Sequence, residues 1–186
     1  KFTAVAVFFA RQCGGSSGNF AGHGGGGRIA IEKTTDGDFS GFLGSVTASG
    51  APYTVAQDPT RMPHGGAGPV TWILPNSRPL IIVDNKGSTA QHCLGIELPT
   101  SSAGDTPKEM RKFDIVLRNS GILSLQGDVR IYDLALETSN TKLYLNGYKL
   151  TIVSSNHKNR RNWKGTVDTG SGGTIEWVSG FSLVIR

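Results

Sequence analysis

Long apolar runs are missing from this 186-residue chain. The strand-like stretch VAVFFA near the amino end stops at Arg11, far short of the about 20 apolar residues that cross a bilayer as a helix, so no membrane span is expected. Helical signal is nearly as scarce. Only Thr106 to Lys112, TPKEMRK, joins helical propensity to a plausible start, with Pro107 suited to a first helical position. Cysteine is limited to Cys13 and Cys93, too few for a disulfide scaffold and not paired as zinc ligands are. One long-range disulfide in a secreted protein and two buried free thiols both remain open. The four histidines, His23, His64, His92 and His157, are scattered, and His92 next to Cys93 would point to the opposite face of a strand. No metal site is supported and no cofactor is expected. No signal peptide can be read, because Lys1-Phe2 leads straight into alternating residues.

Glycine, by contrast, is abundant, with 26 residues, about twice ordinary usage. It gathers in HGGGGRIAI, His23 to Ile31, and again in HGGAG, His64 to Gly68. Gly22, Gly24 and Gly27 satisfy G-x-G-x-x-G, but a phosphate cradle needs a helix after the glycines and here an alternating strand follows. Neither cluster is followed by G-K-[ST], so a nucleotide loop is set aside. Tight turns and close approach of backbones explain the glycines better. The remaining apolar residues fall in short runs, among them LIIV, DIVL, LTIV and SLVI, separated by Gly, Asn, Asp or Ser. That is the pattern of many short strands.

A repeat gives the strands an order. ILSLQG, Ile122 to Gly127, aligns with KLYLNG, Lys142 to Gly147, at an offset of 20 residues (143 − 123 = 20). Leu123 falls on Leu143, Leu125 on Leu145, Gln126 on Asn146 and Gly127 on Gly147, and each copy is followed by a second short strand. Such a period predicts stacked parallel strands with the leucines inward, the glycines turning corners and Gln126 and Asn146 forming an amide ladder. A plain antiparallel sandwich with two similar hairpins is the competing architecture. It fits the shared register of the repeats less well.

GGGGRIAI followed by FSGFLGSVTASGA, then GGAGPVTWIL with LIIVDNKG, then the L-x-L-x-G repeats, resembles the glycine-rich right-handed parallel β-helix segments of large secreted and surface proteins of bacteria. The likeness runs from Gly22 to Trp177 and extends to pectate-lyase-like and autotransporter-passenger-like architectures. It implies an all-β, right-handed parallel β-helix, a solenoid of roughly 20-residue coils, spanning 1–186 as a single domain, with a long insert at 98–112. It also implies a secreted or cell-surface location. Pro69 departs from the small or β-branched residue common there. FTAVAVFF and FSLVIR at the two ends lead to the expectation of a piece of a longer chain, meeting other segments of the parent protein or partner chains through open coil ends.

Candidate chemistry is sparse. Asp36 and Asp38 flank Gly37, and Asp128 and Asp133 lie in GDVRIYD, where turn capping is the simpler role. A basic loop at 154–166 is richer, with His157, Lys158, Arg160, Arg161, Trp163 and Lys164. It reads either as a solvated loop or as a contact for an acidic polysaccharide, the arginines pairing with carboxylates and Trp163 stacking on a sugar ring. Nucleic acid is not expected, since the net charge of +5 is modest and the cations sit in one loop. Two functions follow: a non-catalytic structural or adhesive segment, or a carbohydrate-active protein. Calcium would enter only with eliminative cleavage of uronates, and no spacing supports it.

Overall fold

The computed structural model describes residues 25–33, 38–42, 44–50, 65–87, 96–97, 113–154 and 162–178. The described residues form strands and turns and contain no helix. Among the described residues twelve short strands occur in chain order: β1 (Ile29–Glu32), β2 (Pro69–Ile73), β3 (Leu80–Asp84), β4 (Ile96–Glu97), β5 (Asp114–Arg118), β6 (Ile122–Ser124), β7 (Val129–Ile131), β8 (Asp133–Leu136), β9 (Lys142–Tyr144), β10 (Lys149–Ile152), β11 (Thr166–Asp168) and β12 (Thr174–Trp177). The insert at 98–112, the short helical candidate within it, both cysteines and all four histidines lie outside the described residues.

The strands form three sheets. The first has the order β1-β2-β3-β5-β8, the second β11-β9-β6-β4 and the third β12-β10-β7. From β6 onward the chain visits the second, third and first sheets in turn, then returns to the second with β9 and the third with β10. Among the described strands only β2 and β3 pair antiparallel; every other pairing is parallel. The antiparallel sandwich is therefore not what forms. The expected repeat register does form, with Leu123 opposite Leu143 and, one strand on, Leu143 opposite Val167.

Alternation decides the inward faces. In the first sheet Ile81, Ile115 and Leu134 are aligned, as are Val83, Leu117 and Leu136. In the third, Val129, Leu150 and Ile175 align, followed by Ile131, Ile152 and Trp177. Leu123, Leu125, Leu143 and Leu145 are completely buried and join these rows in one core. Each such side chain contributes about 1.5–3 kcal/mol relative to an exposed position. Two buried polar side chains are tied to backbone: the Thr141 hydroxyl donates to the Thr138 carbonyl at 2.7 Å, and Asn85 accepts from the Gly50 N–H at 2.9 Å while donating to the Gly65 carbonyl.

The glycine clusters divide into two physical cases. Gly26 N–H donates to Gly66 O and Gly68 N–H to Ala48 O, each at 2.8 Å, so three backbone segments press together; a Cβ on Gly26 would run into the Ala48 carbonyl. Left-handed backbone occurs elsewhere, at Lys86-Gly87, Asn119-Ser120 and Asn146-Gly147, each pair at positive φ. Tyr148 N–H closes onto Leu145 O at 2.9 Å and Gly121 N–H onto Arg118 O at 2.9 Å, the φ pattern and bond of type I′ turns. Pro69, the departure noted above, opens its strand, where a missing N–H disturbs the ladder least.

Candidate ligand-binding face

In-register partners share a sheet face, so the outer surface of the first sheet can be read in rows. One row holds Leu80, Asp114 and Asp133; the next holds Ile82, Val116 and Ala135; a third begins with Asp84 and Arg118. At the β1 and β2 end of this sheet Trp72 meets Phe39 edge-on at 4.8 Å and Phe42 at 5.9 Å. The charged groups gather toward β5 and β8.

Arg78, in the turn before β3, places Nε 3.1 and 3.3 Å from the two oxygens of Asp114 and lays its guanidinium 3.8 Å from the centre of the Tyr132 ring. Burial pushes the Asp114 carboxyl up; Arg78 pulls it back, and Asp133 adds repulsion, leaving it above its ordinary value. A carboxyl group raised in this way beside a second carboxyl is one ingredient of acid–base chemistry. At the opposite edge Arg118 Nε lies 2.8 Å from Asp84, which also accepts from the Lys86 N–H at 2.8 Å and the Asn119 amide at 3.2 Å. Burial raises the Asp84 carboxyl, but these donors outweigh it and hold it below the usual carboxylate value.

The foreseen acidic residues serve the backbone. Asp128 Oδ1 accepts the Lys149 N–H at 2.9 Å and Asp133 Oδ1 the Leu134 N–H at 2.9 Å. Asp38 accepts from both the N–H and the hydroxyl of Ser40, capping its own turn. Asp36 lies outside the described residues.

Of the basic loop, His157, Lys158, Arg160 and Arg161 lie outside the described residues, while Trp163 and Lys164 are placed. Trp163 is half-buried against the core, 5.9 Å from Trp177, and its indole N–H donates to Leu134 O at 2.8 Å. Lys164 N–H donates to Leu136 O at 2.9 Å, and its side chain is exposed. Asn162, Trp163 and Lys164 border an open groove of about 460 Å³ whose other walls are Ala135, Leu136, Glu137 and Thr138. The end of the basic loop thus adjoins the strand that carries Asp133. Among the described residues no group of three or more His, Cys, Asp or Glu is placed to hold a metal, and no helix is long and apolar enough to cross a membrane.

Arg78, Tyr132, Asp114 and the Asp84–Arg118 pair escape sequence reasoning, because 36 residues separate Arg78 from Asp114. A signal did exist. DIVL at Asp114 and DLAL at Asp133 repeat at an offset of 19 (133 − 114 = 19) and predict that the two aspartates stack. No protein family profile, no curated protein and no solved structure matches this chain.

Proposed function

We propose that the chain is a non-catalytic structural or adhesive segment of a secreted or cell-surface protein, built as a right-handed parallel β-helix of roughly 20-residue coils. The observation that carries this reading is the cyclic visiting of three sheets from β6 onward, each joined there by parallel pairings, with aliphatic side chains aligned from strand to strand inside. A right-handed sense follows from the general handedness of parallel crossovers. The polar groups of the outer face support a scaffold as well, since Asp84, Asp114, Asp128 and Asp133 are engaged with Arg118, Arg78, Lys149 N–H and Leu134 N–H. Partners on this reading are other segments of the parent protein or other chains stacked on the coil ends.

One observation favours a second reading, a carbohydrate-active protein for acidic polysaccharides: Asp133, stacked on Asp114, lies on the strand whose far end walls a groove bordered by Lys164. The deciding experiment incubates the native chain with polyuronates, sulfated glycans and neutral glucans, scoring product release and binding. The scaffold reading expects no product from any of them. Product release abolished by Asp114→Asn and Asp133→Asn in a folded chain would replace it with an enzyme. Binding without turnover that is lost in Arg160→Ala/Arg161→Ala/Lys164→Ala would make the segment an adhesin for acidic glycans.

A further inference from the structure

Asn146-Gly147 is the one Asn-Gly step in the sequence, and it occupies a left-handed corner at φ 51° and 85°. Asn-Gly is chemically the most labile asparagine context, because glycine offers no Cβ to shield its backbone nitrogen. In the reaction the deprotonated Gly147 nitrogen attacks Asn146 Cγ, the new C–N bond closes a five-membered imide, and the Cγ–Nδ2 bond breaks with loss of ammonia. Water then opens the imide at either carbonyl to leave aspartate or isoaspartate. Both reacting groups are held in place here. Asn146 Nδ2 donates to Ser124 Oγ at 2.9 Å and to Leu125 O at 2.9 Å, anchoring the amide on the preceding strand segment. The Gly147 N–H donates to Thr169 O at 3.2 Å on the following one. The leaving group is thus tied on one side and the nucleophile on the other.

We infer that Asn146-Gly147 is a latent deamidation site kept unreactive by its neighbours, so that separation of the segment carrying Thr169 starts an irreversible chemical change at this corner. Release of Thr169 frees the Gly147 N–H for exchange and attack. The product carries an acid in place of an amide donor. An aspartate at 146 meets the Leu125 carbonyl with an acceptor, and isoaspartate lengthens the backbone inside a tight turn. Each outcome weakens the corner that Thr169 must rejoin, so one opening event favours the next.

The test is peptide mapping by mass spectrometry after incubation of the intact chain at mildly alkaline pH, native and in urea. Val167→Ala serves as a third sample, because Val167 packs against the core beside Thr169 and its truncation loosens that segment. Conversion at Asn146 is expected to be at least about tenfold slower in the native chain than in urea, the ratio that a local opening cost of about 1.4 kcal/mol supplies. It is expected to rise in Val167→Ala while the circular dichroism of the rest stays native. Asn146→Asp should lower the unfolding midpoint. Equal rates in native chain and urea would overturn the inference, as would an unchanged rate in a Val167→Ala chain whose hydrogen exchange at Gly147 has increased. If Val167→Ala does not fold, the same exchange-against-conversion comparison is made on the native chain at sub-denaturing urea, with the same outcomes deciding.

Discussion

Glycine at position 26 and glycine at position 87 illustrate how differently one residue type is used. Gly26 sits where a Cβ would meet backbone that has no room to move, whereas Gly87 faces open space and is needed for its φ of 83°. Gly26→Ala is expected to cost about 3 kcal/mol through overpacking, and Gly87→Ala about 1 kcal/mol through left-handed strain, both read from urea unfolding. Two carboxyls also differ in sign. Asp84, depressed in the fold, lends stability that is complete above its unfolded value of 3.8 and is lost as pH falls through its folded value. Asp114, raised in the fold, subtracts stability once ionised and returns it on acidification. Near neutral pH, Asp84→Asn should therefore destabilise by about 0.5–1 kcal/mol, the range of a partly exposed ion pair, with the gap closing in acid. Asp114→Asn should leave stability level or higher at neutral pH, and a loss as large as that of Asp84→Asn would show that the Arg78 contact dominates.

Strands show which parts of the architecture can be read without coordinates. β6 and β9 were legible because leucine stacks on leucine at an even offset, and their pairing follows that register. β11 was not: Val167 and Thr169 stand where the other copies have leucines, and the basic loop stretches the offset from 20 to 24 (167 − 143 = 24). Instead of the expected donation to Gln126 in an amide ladder, the Asn146 side-chain nitrogen donates to Ser124 Oγ and to the Leu125 carbonyl. Trp163, read as a sugar platform, has its indole N–H on the Leu134 carbonyl and its ring against the core. Aromatic residues in polar loops carry no mark of whether they face in or out. The difference between stacked and terminal positions is measurable. Leu143→Ala, fully buried between Leu123 and Val167, should cost about 2–5 kcal/mol, while Val167→Ala, half-buried on the last described strand of its sheet, should cost about 1 kcal/mol. Equal costs would mean that Val167 is as enclosed as Leu143.

Among the described strands, those in the middle of each sheet pair with strands on both sides and those at the margins with one. Amide hydrogen exchange should follow this order. Protection is expected to be greatest around Leu125, Leu145 and Ile152 and to fall toward β12, and a uniform profile would mean that the sheets open only together. The reversal between β2 and β3 has a further consequence, for how such a chain can lengthen. From β3 onward the parallel strands share one sense, so a tandem copy of the twenty residues from Gly121 to Asn140 (140 − 121 + 1 = 20) would present the same inward rows and the same bonding edges to both neighbours. A copy taken across the β2–β3 hairpin would present strands of opposite sense and find no matching edge. Growth by duplication is thereby confined to copies that stop short of the hairpin.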